Sequence, residues 1–167
     1  PRHRVQSVEP SRVNTDCVWL GSMPYGEGTN PLYLDEPSHL VLWNFKERHI
    51  KKDIIIDLNI RKIQSIIESD SVVICADQAA HLTAFDVSTG ERVAENKYDG
   101  IYQMILLDSG NLFGISETTL YHINKDNLVG EVVLDGFTQL TNLTYDPSTS
   151  AVYFFDKTKL FKVKGLK

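Results

Sequence analysis

The chain has 167 residues, 42% hydrophobic and 23% charged, with a formal net charge of −5. That length suits one domain with a substantial core, and no apolar run approaches the ~18 residues a membrane-spanning helix needs. A mildly acidic chain without a dense Lys/Arg stripe argues against generic nucleic-acid binding, which rests on neutralising phosphates.

Residues 1–16 are polar and hold one alternating segment, Arg4-Val5-Gln6-Ser7-Val8, which predicts a short strand. Cys17-Val18-Trp19-Leu20 predicts a second, apolar strand. Residues 21–38 are punctuated by Gly21, Pro24, Gly26, Gly28, Pro31 and Pro37, which predict a long loop. From Ser38 the pattern becomes regular, with strands expected at 39–45, 53–57, 62–67, 72–76, 82–87, 92–95 and 101–107. Further strands are expected at 112–116, 120–124, 131–134, 140–145, 152–155 and 160–163. Residues 46–52 are the most basic window, but Glu47 and Asp53 mark them as a solvated turn. Ser88-Thr89-Gly90, Asp108-Ser109-Gly110 and Asp146-Pro147-Ser148 carry turn chemistry that supplies positive φ or an Asx hydrogen bond. Residues 58–69 show a helical period in Ile60, Ile63, Ile66 and Ile67, yet their β-branched content and position in the pattern favour a strand.

That pattern repeats. Leu40, Leu82, Leu120 and Leu160 coincide at spacings of 42, 38 and 40 residues. Three positions on stand Trp43, Phe85, Ile123 and Val163, followed by Asn44, Asp86, Asn124 and Lys164. A unit of about 40 residues with four short strands is the mark of a β-propeller blade, whose two faces are covered by neighbouring blades. The expected fold is all-β, a β-propeller of four-stranded antiparallel blades filling 1–167. Its approximate repeats are 4–57, 58–99, 100–136 and 137–167, the last lacking its fourth strand, with 21–38 as a loop insertion. The start at Pro1 without an initiator Met and the ending KVKGLK favour a partial propeller. The alternative is a closed four-bladed ring in which residues 4–8 supply the missing strand.

The stretch AFDVSTGERV at 84–93, and LVLWNF at 40–45, resemble the repeats of the WD40 and quinoprotein-like propeller superfamily. The resemblance covers roughly 39–165 and implies the propeller fold. The Gly-His pair of WD40 repeats is absent from every unit, so that family's buried His–Asp network is not carried over. The quinoprotein docking and calcium-ligand motifs are missing too, so the resemblance implies no cofactor. Degenerate propellers of this kind resemble those of tethering, coat and nuclear-pore subunits. The implied role is a non-catalytic protein-interaction scaffold within a larger intracellular complex, cytoplasmic or nuclear. Its partners would be protein subunits, or another chain or segment that completes the propeller. The alternatives are a ligand-sensing or enzymatic propeller with a central-channel site, and a small extracellular binding domain, for which a glycan at Asn142 would speak.

No catalytic, cofactor-binding or metal-binding residues are assigned. His3, His39, His49, His81 and His122 lack ligand spacing. His39 and His81 share a repeat position, which points to a structural role at a strand start. Cys17 and Cys75 sit in apolar runs and are expected to be buried thiols. Turn capping accounts for the many Asp residues. The candidate partner-binding residues are Tyr25, Leu32, Tyr33 and Leu34 in the Pro/Gly-rich insertion, since tyrosines give large contact area at little entropic cost.

Overall fold

The computed structural model describes residues 3–24, 37–56, 62–77, 79, 81–97 and 100–166. Among them the chain forms fifteen strands and no helix. The first sheet contains β1 (His3–Pro10), β2 (Cys17–Pro24), β3 (His39–Asn44) and β4 (His49–Ile55). The second contains β5 (Ile63–Ser69), β6 (Val72–Asp77), β7 (Leu82–Asp86) and β8 (Arg92–Asn96). The third contains β9 (Gln103–Leu106), β10 (Leu112–Ile115), β11 (Leu120–Ile123) and β12 (Gly130–Leu134). The fourth has three strands, β13 (Leu140–Asp146), β14 (Ala151–Asp156) and β15 (Lys159–Lys164). Each sheet is an antiparallel meander in chain order, and the four are the blades of a β-propeller.

The first strand of each blade lies innermost: β1 packs on β5, β5 on β9 and β9 on β13. Each contact carries a polar link. Ser7 Oγ donates to the Ile63 carbonyl at 3.1 Å, and the Met104 N–H donates to Ser65 Oγ at 3.1 Å. Gln103 makes two bonds to the Leu143 backbone, at 3.1 and 3.0 Å. Blades 1 and 2 pack closely at Gly21, where an added Cβ would meet Ser7 Oγ of its own sheet at 2.3 Å and Ile63 of blade 2 at 2.8 Å. Only glycine fits there.

Three apolar cores lie between the blades, and they explain the repeat. Leu40 and Phe85 share the first, Leu82 and Ile123 the second, Leu120 and Val163 the third. The recurring leucine thus faces the following blade, and the large residue three positions on faces the preceding one. Burying each such side chain is worth about 1.5–3 kcal/mol. The recurring Asn or Asp caps the next turn. Asp86 Oδ1 accepts the N–H groups of Ser88 at 2.8 Å and Thr89 at 2.7 Å, and Gly90 follows at φ 80°. Asn44 does the same for Lys46 and Glu47 at 3.0 and 2.8 Å, and Asn124 for Asp126 at 2.9 Å.

Among the described residues no apolar core and no comparable strand packing returns from blade 4 to blade 1. Among the described residues the blades form an open arc. The closed-ring alternative is corrected on one point: residues 4–8 are not the missing strand of blade 4, because β1 pairs with β2 from His3 opposite Pro24 to Pro10 opposite Val18. A buried carboxylate helps fix that placement. Glu68 of β5 accepts bonds from Ser11 Oγ at 2.7 Å, the Arg12 N–H at 2.5 Å and the Val13 N–H at 3.3 Å. It thereby ties the β1–β2 connection to blade 2.

Two boundaries differ from the sequence pattern. β2 runs on to Pro24, four residues into the stretch read as loop, because Gly21–Met23 still find partners on β1. β4 begins at His49, so the charged turn shrinks to the residues around Arg48, which takes φ 56°. Residues 63–69 are strand, as their β-branched content indicates. Cys17 and Cys75 are buried free thiols in the first core. Burial, then the charge of Asp77, pushes the Cys75 thiol up to about 12.

Candidate interaction cleft

β5, β9 and β13 all begin at the same end of the arc, where the turns after β6 and β10 also lie. A cleft of about 700 Å³ opens there between blades 2, 3 and 4. Gln64 and Asp77 line it from blade 2, Tyr102 and Glu117 from blade 3, Gln139 and Thr141 from blade 4.

Asp77 closes β6 opposite Ile63 and is only 1% exposed. Its Oδ1 accepts the N–H groups of Ala79 at 2.7 Å and His81 at 3.0 Å, capping the turn into β7. Its Oδ2 is buried, has no hydrogen-bond partner among the described residues and lies 3.7 Å from His81 Nδ1. Tyr102 leans across to blade 4 and donates its hydroxyl to the Leu140 carbonyl. Burial, then the charge of Glu117, pushes its phenol above the ordinary value. Glu117 is exposed, and its carbonyl accepts the Leu140 N–H at 2.7 Å, which pins the β10–β11 turn to blade 4. No Lys or Arg is among the described residues of the lining, so the cleft carries a negative field with amide and hydroxyl groups around it.

The proposed contact residues Tyr25, Leu32, Tyr33 and Leu34 lie outside the described residues. Their flanks are placed: β2 ends at Pro24 and β3 begins at His39, the counterparts of the β6 end and β7 start beside the cleft. His39 Nδ1 meets Asp53 Oδ1 at 2.7 Å across β3 and β4. His122 packs at 5.1 Å from the Phe113 ring and lies 3.4 Å from Asn111 Oδ1. Both are tied into their own sheets. Among the described residues no group of three or more His, Cys, Asp or Glu could hold a metal ion. Among the described residues no helix is long and apolar enough to cross a membrane.

The sequence pattern missed the cleft, although it carried a faint signal. Gln64, Gln103 and Gln139 each stand at the start of an inner strand, in blades 2, 3 and 4. Such a recurring polar residue at the mouth of an apolar strand marks the blade end that several repeats share.

No protein-family model and no curated protein matches the chain. Solved structures match it in shape. The C-terminal WD40 domain of Sif2 aligns with a TM-score of 0.72 over 98% of this chain and 44% of that one, at 12% identity. The β-propeller domain of Cps50 (Swd1) from Myceliophteria thermophila gives 0.65 over 92% and 49%, at 14% identity. The computationally designed Ika4 protein gives 0.65 over 98% and 92%, at 10% identity. The chain spans less than half the length of the Sif2 and Cps50 (Swd1) domains it matches. At these identities the likeness is one of fold, and the fold is a β-propeller.

Proposed function

We propose that the chain is a non-catalytic protein-interaction scaffold, a degenerate propeller module of a larger intracellular assembly. The cleft between blades 2, 3 and 4 carries this reading. Its acidic and amide groups suit an extended peptide segment that brings backbone N–H groups and a Lys or Arg side chain. The β2–β3 connection, with Tyr25, Leu32, Tyr33 and Leu34, adds apolar grip from blade 1. The WD40 and propeller domains of Sif2 and Cps50 (Swd1) share the scaffold on which such a surface is built, and fold alone assigns no partner.

Fluorescence anisotropy with two labelled peptides of matched length, one carrying central Lys/Arg and one central Glu, tests the cleft. The cationic peptide is expected to bind, more weakly as salt rises, and to lose affinity in Glu117→Lys. Equal behaviour of the two peptides, or binding indifferent to Glu117→Lys, overturns the reading. Deletion of residues 25–36 is expected to weaken binding further, and unchanged affinity removes the loop from it.

A further inference from the structure

We infer that a second copy of this chain closes the propeller, blade 4 of each copy docking on blade 1 of the other. Four blades share three cores, so two faces remain uncovered among the described residues. On blade 1 the alternate positions turned away from blade 2 hold an apolar cluster beside the His39–Asp53 pair. Val8 stands opposite Leu20, Leu20 opposite Val41, Val18 opposite Trp43 and Trp43 opposite Ile50. Val8 and Ile50 are 60% and 53% exposed. On blade 4 the face turned away from blade 3 carries Tyr153 and Phe155, with Phe155 opposite Leu160, which is 59% exposed. Contiguous apolar surface of this kind marks an interface.

The repeat itself says what fits. At each internal junction the leucine of one blade shares a core with the large residue of the next: Leu40 with Phe85, Leu82 with Ile123, Leu120 with Val163. The same register leaves Leu160 on blade 4 and Trp43 on blade 1 outside those three cores. Blade 4 of a second copy, docked on blade 1 in that register, presents Leu160 to the face that holds Trp43. Charge agrees: Lys162, 5.1 Å from the Tyr153 ring, lies on the blade 4 face, and Asp53, opposite Val41, lies on the blade 1 face. Two sets of four blades give eight, inside the four to eight that propellers commonly use. Each contact joins unlike faces, but the pair closes about a two-fold axis and leaves no open end.

Sedimentation equilibrium on the chain at micromolar to 100 µM concentrations, with the range set by about what standard-size interfaces achieve, is the test. The expected species has twice the 18.9 kDa chain mass. Leu160→Glu and Trp43→Glu should each raise the dimer dissociation constant by roughly tenfold or more, the scale of losing a buried anchor. Leu160 is exposed in the single arc, so Leu160→Glu keeps the fold, which a strand-type circular dichroism spectrum verifies. Mixing the two variants restores one unaltered Trp43–Leu160 contact and should recover association that neither shows alone. A monomer throughout the range, as when another propeller segment or a different protein is the occupant, overturns the proposal. So does a dimer that both substitutions leave unchanged. Peptide binding at the cleft is read separately, so failure here leaves the scaffold reading standing, and the converse holds.

Discussion

Blades 2 and 3 are covered on both sides, blades 1 and 4 on one, and the strands record the difference. In β7 four consecutive residues, Leu82 to Phe85, are buried, and β10 is buried throughout. In β3 buried positions alternate with partly exposed ones, and β15 has no buried residue. One repeat therefore yields two patterns. Sandwiched strands such as β7 and β10 can be buried along a continuous run, while β3 at the end of the arc keeps the period-2 alternation of a half-covered sheet. The same leucine position is 0% exposed at Leu40, Leu82 and Leu120 and 59% exposed at Leu160. Coverage by the next blade, not the residue, decides what that leucine contributes.

Truncating equivalent leucines turns this contrast into its largest measurable effect. Leu82→Ala should cost about 2–5 kcal/mol in urea unfolding, because it leaves a cavity in the second core. Leu160→Ala, measured at protein concentrations too low for self-association, should stay within about 0.5 kcal/mol. Comparable losses at both sites would show that blade 4 is already covered. Next in size is the tie between the β1–β2 connection and blade 2. Glu68→Ala removes the acceptor of three donors and should cost about 1–3 kcal/mol, and Glu68→Gln, which keeps one acceptor oxygen, should recover part of it. Gly21→Ala tests the close packing of blades 1 and 2: overpacking against Ser7 and Ile63 should cost about 1–3 kcal/mol, with no counterpart on an open face.

These contrasts also mark what could be read in the chain alone. The blades, their turns and the leucine register were legible because each is local: about 40 residues set them, and Asn44, Asp86 and Asn124 cap turns within three positions of themselves. The two faces of each blade follow from alternation, yet which face stays open depends on stacking. The cleft was not legible, since Asp77, Glu117 and Gln139 meet only after three blades are in place. Glu68 and its three donors are likewise separated by more than fifty positions. Its Glu in an apolar strand looked like any polar interruption.

The smallest effects lie in the response to pH, where turns and interior act with opposite sign. Hydrogen bonds from Ser88, then Thr89, hold the Asp86 carboxyl below its ordinary 3.8, and Ser148 and Thr149 do the same for Asp146. Their contribution is present above that ordinary value and is lost as pH falls through the lower folded one. Glu9 is displaced the other way: burial raises it above 4.5, against the pull of Arg12 and with a small push from Glu68. Its penalty is absent below 4.5 and grows as pH rises through the raised value, because the fold then holds a charged carboxylate that water would solvate better. Thermal melts between about pH 3 and 7 should therefore show Asp86→Ala less stable than the parent at neutral pH and converging with it in acid. Glu9→Gln should instead be more stable at neutral pH and converge in acid, and its effect should grow if Arg12 is also replaced, because the carboxyl of Glu9 then loses the charge that offsets its burial. A Glu9→Gln chain that melts lower than the parent at pH 7 would mean that the Glu9 carboxylate is held by Arg12 rather than penalised by burial.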